Sequence, residues 1–78
     1  MNTTHDRYAL LALLLRDLRN QSDMTQTDLA NALGKPQSYV SKYESGERRL
    51  DLIELSDLCS VLGISLYDFV SLFERGER

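Results

Sequence analysis

The chain has 78 residues, 27% charged and 42% hydrophobic, with a formal net charge of −3, which allows one folded domain with a modest core rather than a disordered tail. A single cysteine, Cys59, excludes an internal disulfide, and no CxxC or Cys/His cluster suggests zinc. No apolar stretch reaches membrane-span length and the N-terminus lacks the parts of a signal peptide, so a cytoplasmic location is expected.

No alternating apolar/polar run marks a strand; apolar residues recur at helical spacing instead. The first expected helix runs from about Asp6 to Asn20, with Tyr8, Leu11, Leu15 and Leu18 on one face, and Leu10, Leu13 and Leu14 widening it. His5, at its fringe, reads as solvated.

Thr25 then reads as an N-cap, with Asp28 three residues on as a variant capping box. The helix "QTDLANAL" follows, burying Leu29, Ala30 and Leu33, and Gly34 ends it. Pro36 opens a third helix, about Pro36 to Ser45, which buries Val40 and Tyr43 and stops at Gly46. Asp51 caps a fourth, with Glu54 three residues on and Leu52, Leu55, Leu58, Cys59 and Leu62 on its inner face, and Gly63 breaks it. Ser65 starts a fifth that carries Leu66, Phe69, Val70 and Phe73. The expected fold is therefore all-α: one compact five-helix domain over residues 1–78, with its core at about 6–73.

Helices two and three form a constrained pair. Their short connection forces a steep crossing, which calls for a small residue (Ala30), a turn position that accepts positive φ (Gly34) and a β-branched apolar anchor (Val40). This is a helix-turn-helix pattern, spanning about 26–45. Charge follows the same division. From Lys35 to Arg49, four basic residues against two acidic ones give +2, whereas from Leu50 to Arg78 two against six give −4. Such polarity suits one face toward an anion and an acidic back.

The stretch "MTQTDLANALGKPQSYVSKYESGERRLDLIEL" resembles the Cro/lambda-repressor type of helix-turn-helix, the xenobiotic-response-element (XRE) family of bacterial and phage transcriptional regulators, over roughly Leu11 to Phe69. The resemblance implies binding of double-stranded operator DNA, usually as a homodimer on a palindromic site. It implies that Gln26 grips a backbone phosphate at a helix N-terminus, and that Gln37, Ser38 and Lys42 meet base edges. An amide can bond adenine, a lysine can reach guanine acceptors and a hydroxyl can serve either. Tyr39 and Ser41 are expected on the sugar-phosphate or a thymine methyl, and Arg48 and Arg49 on flanking phosphates or paired with Asp51 or Glu54. Arg19 and Glu44 match a family pair that ties the first helix to the third. Glu47 stands where many relatives carry a basic residue, which weakens phosphate contact there and suggests moderate, strongly salt-dependent affinity.

Repressor activity on DNA is the leading expectation. A protein-interaction module, such as an antitoxin with secondary DNA contact, is the alternative, motivated by the acidic last third and the apolar patch at Leu10, Leu13 and Leu14. That patch either completes the core against Val70, Leu72 and Phe73 or forms a dimer interface. No paired acid and base, phosphate-cradling loop or activated nucleophile suggests an enzyme, and no cofactor or metal is implied.

Overall fold

The computed structural model describes the backbone of residues 3–76 and the side chains of residues 7–76, so the side chain of His5 lies outside the described residues. Among the described residues five helices follow one another: α1 (Thr3–Gln21), α2 (Gln26–Leu33), α3 (Gln37–Glu44), α4 (Leu52–Leu62) and α5 (Leu66–Arg75). No strand occurs among the described residues.

The helix boundaries follow from local hydrogen bonding. Thr25 Oγ1 accepts from the Asp28 N–H at 3.0 Å while the Asp28 carboxylate accepts from the Thr25 N–H at 3.0 Å, closing the box that starts α2. Asp51 and Glu54 repeat this at the start of α4, at 2.8 and 2.9 Å. Ser65 caps α5 through the Asp68 N–H at 3.0 Å. Gly34 ends α2 at φ 69°, the left-handed conformation in which a side chain would be strained. The end of α1 works without glycine: Asp23 takes φ 57° there, a conformation that aspartate tolerates better than most residues. Lacking a breaker on either side, α1 extends beyond both ends of the expected span.

Each helix contributes to one core. α1 supplies Leu14 and Leu15, α2 Leu29 and Ala30, α3 Val40 and Tyr43, α4 Leu58, Cys59 and Leu62, and α5 Phe69. Three expectations about faces need correction. Leu14, expected at the margin of α1, is core, whereas Tyr8 stands 43% exposed. Leu52 is 64% exposed because the first turn of α4 overhangs the core that Leu55 and Leu58 reach. Val70 on α5 is also exposed. The leucine patch divides: Leu14 is buried, Leu10 half-buried, and Leu13 faces outward. Among the described residues, no single helix is long and apolar enough to cross a membrane.

Candidate nucleic-acid interface

α2 and α3 are held at their crossing by Ala30 and Val40, both essentially sealed from solvent. The turn between them is closed by backbone bonds from the Gly34 N–H to Asn31 O at 3.1 Å and from the Lys35 N–H to Ala30 O at 2.9 Å. With Val40 pinned inward, the 100° step of the helix sends Gln37, Ser38 and Lys42 to the outer face, and all three are exposed. α3 has eight residues and is therefore about 12 Å long, and a helix with its side chains is about 10–12 Å across, which the major groove of DNA admits.

The outer face is tied to the interior by a chain of side-chain hydrogen bonds. Arg19 Nε and Nη2 donate to Glu44 Oε2 and Oε1 at 2.7 and 3.0 Å, and Arg19 Nη1 donates to Met24 O at 2.8 Å. Glu44 Oε1 also accepts from Gln26 Nε2 at 3.0 Å, and Gln26 Oε1 accepts from Gln37 Nε2 at 2.7 Å. The order is therefore Arg19, Glu44, Gln26, Gln37, running from a buried guanidinium to an exposed amide. Hydrogen bonding to Glu44 raises the Arg19 pKa above its already high ordinary value, against the opposing effect of burial, so the cation persists. Glu44 is thus compensated inside the protein and adds little repulsion toward an approaching anion. An amide carries two N–H donors and a carbonyl. Gln37 spends one donor on Gln26 and, among the described residues, keeps the other donor and its carbonyl, the pair that matches the N7 and N6 groups of adenine.

Tyr39 requires a correction. Expected at the sugar-phosphate or a thymine methyl, it is only 9% exposed and belongs to the core cluster. Tyr39, Val40 and Tyr43 lie at i, i+1 and i+4, the spacing of one helix face, and the two tyrosine rings meet edge to face at 5.9 Å and 77°. Burial, then the nearby Glu54 carboxylate, raises the Tyr39 pKa and keeps the phenol neutral. Ser41 is half-buried.

Arg48 meets Glu54 as a fork, with Nη1 to Oε1 at 3.2 Å and Nη2 to Oε2 at 2.7 Å, and stacks 4.6 Å above the Tyr39 ring. Hydrogen bonding to Arg48, helped by the Asp51 N–H, lowers the Glu54 pKa to about 2. Arg49 lies 4.3 Å over the ring of Tyr8, a partner on α1 that local spacing does not reveal. Glu47 accepts from Ser45 Oγ at 3.1 Å. Lys35, which the motif reading passed over, sits 5.4 Å from the Tyr39 ring centroid. Its signal in the sequence is only a basic residue in the turn before α3. Cys59 is sealed in the core, and burial raises its thiol pKa, so it stays protonated.

A buried crossing, a positive-φ glycine turn and an outward polar row define a helix-turn-helix domain. A helix-turn-helix family profile matches residues 15–69. Among solved structures, an XRE-family-like protein from Pseudomonas syringae pv. tomato str. DC3000 is 45% identical, with 91% of this chain and 87% of that chain covered and a TM-score of 0.85. The chain belongs to the XRE family of Cro/lambda-repressor-like helix-turn-helix transcriptional regulators. The restriction-modification controller protein C.Esp1396I shares the fold at 21% identity, with 96% of each chain covered and a TM-score of 0.83. HppE is 35% identical over 78% of this chain, with a TM-score of 0.71, but the match spans only 34% of that protein. No curated protein sequence matches the chain.

Proposed function

We propose that this protein is a sequence-specific DNA-binding transcriptional repressor. It acts as a homodimer on a palindromic operator and reads the major groove with Gln37, Ser38 and Lys42 of α3. The observation that carries this reading is the bonded chain from Arg19 to Gln37. It holds an exposed amide in place on the outer face of α3, with a donor and an acceptor left over for a base. Gln26, at the first position of α2, stands beside Gln37 and takes a backbone phosphate with its remaining N–H. The same fold in C.Esp1396I has been seen as a tetramer in complex with its natural 35-base-pair operator, which supports both DNA binding and self-association here.

The chemistry is binding alone, without turnover or cofactor, and the protein works in the cytoplasm of a bacterium or of a phage-infected cell. Selection of duplexes from random oligonucleotides, followed by gel shifts of the recovered sites, tests the reading. A two-fold symmetric consensus is the expected result. A partner-binding module remains the second reading, favoured by the exposed Leu52, Ile53 and Tyr67 at 64, 70 and 84%. Capture of a stoichiometric protein partner, together with no DNA consensus, would establish it instead.

A further inference from the structure

Tyr39 collects a cation from each end of α3. Lys35, in the turn that enters the helix, places Nζ 5.4 Å from the ring centroid, and Arg48, in the loop that leaves it, places Cζ at 4.6 Å. The ring lies in the core cluster and packs edge to face against Tyr43 at 77°. The face of an aromatic ring is the negative end of its quadrupole, so both cations are attracted to it.

Arg48 is held further by the Glu54 fork and by an Nη1 bond to Arg49 O at 3.0 Å. A guanidinium has five N–H donors, so Arg48 retains unused donors among the described residues. Glu54, with Asp51 and Asp57 also acting on the Tyr39 ring, offsets the cations electrostatically, so what the cluster offers an anion is the free donors of Lys35 and Arg48 rather than net charge. Lys35 is exposed and Arg48 half-exposed, so an anion can reach both. Long basic side chains normally lose rotamer freedom when they bind; cations already parked on a ring lose less.

We propose that Tyr39 is a positioning residue, a buried platform that holds Lys35 and Arg48 as phosphate contacts flanking the reading row while itself touching no nucleic acid. This rests on the DNA-binding reading above. It assigns Lys35 a role in binding and replaces direct Tyr39 contact with an indirect one. Because phosphates carry no sequence pattern, the platform sets affinity and salt dependence without altering the preferred site.

The test is fluorescence anisotropy on a duplex recovered by selection, with salt varied from about 50 to 200 mM. Lys35→Ala should weaken binding to all sequences alike and reduce the salt slope by about one. Tyr39→Leu, which keeps an apolar body but no π face, should reduce the slope by about one or more with the consensus unchanged. Tyr39→Phe, which keeps the ring, should behave as wild type. A wild-type slope in Lys35→Ala, or in folded Tyr39→Leu, overturns the proposal. So does a Tyr39→Phe loss as large as that of Tyr39→Leu, which would point to direct contact through the hydroxyl. If Tyr39→Leu does not fold, Tyr39→Met, also apolar and without a ring, is read in its place against the same two outcomes. Failure of the wild-type protein to prefer any duplex is the separate outcome that removes the DNA reading and this inference with it.

Discussion

Arg19 and Glu44, twenty-five positions apart in the chain, share two hydrogen bonds of 2.7 and 3.0 Å, with side chains only 10 and 5% exposed. The pair joins α1 to the last residue of α3 and so ties α3 to the body of the domain. A buried ion pair adds little net stability, since desolvation offsets attraction, but breaking it strands a charge.

Arg19→Met should therefore lower unfolding free energy by about 3–5 kcal/mol, measured by urea denaturation. Arg19→Met combined with Glu44→Leu should recover much of the loss, because no buried charge is then left alone. A single-variant loss below about 1 kcal/mol would show that the pair does not anchor α3.

The hydroxyl of Tyr43 is buried with no hydrogen-bond partner among the described residues, and burial, ahead of the Glu44 carboxylate, raises its pKa. An unsatisfied buried hydroxyl costs about 1–3 kcal/mol. Tyr43→Phe should accordingly be neutral or stabilising by about 1 kcal/mol in thermal unfolding. A clear destabilisation would mean that the hydroxyl has a partner in solution.

Glu54 supplies a pH dependence whose sign is fixed. Its folded pKa of about 2 lies below the ordinary 4.5, chiefly through the Arg48 hydrogen bonds. Its contribution is thus complete above about 4.5 and is lost as pH falls toward 2. The melting temperature of the wild type should fall through that window, and Glu54→Gln should show a shallower fall. Equal slopes for both proteins would remove Glu54 as the source.

Much of this was legible in the sequence because caps and glycines are local signals. Thr25 with Asp28, Asp51 with Glu54, Gly34 and Gly63 place the bounds of α2 and α4 without reference to the rest of the chain. Facing was harder. Leu10, Leu11 and Leu13 to Leu15 run nearly unbroken, so periodicity could not separate buried Leu14 from exposed Leu13. Tyr39 read as outward beside Ser38, although its four-residue spacing from Tyr43 puts it on the inner flank. The contacts of Arg49 with Tyr8 and of Lys35 with Tyr39 depend on tertiary approach or rotamer choice, which composition does not encode.

The reading row makes the most direct prediction, that Gln37 specifies base identity rather than general affinity. Anisotropy titrations of a selected duplex, of its single-base variants and of a scrambled duplex measure this for wild type and Gln37→Ala. The wild type should prefer the selected site over the scrambled one by about a thousandfold or more. Gln37→Ala should lose about 1–3 kcal/mol of discrimination at one or two adjacent positions and keep its preference elsewhere. Equal wild-type binding to every duplex, or a Gln37→Ala loss shared equally by all of them, would contradict it.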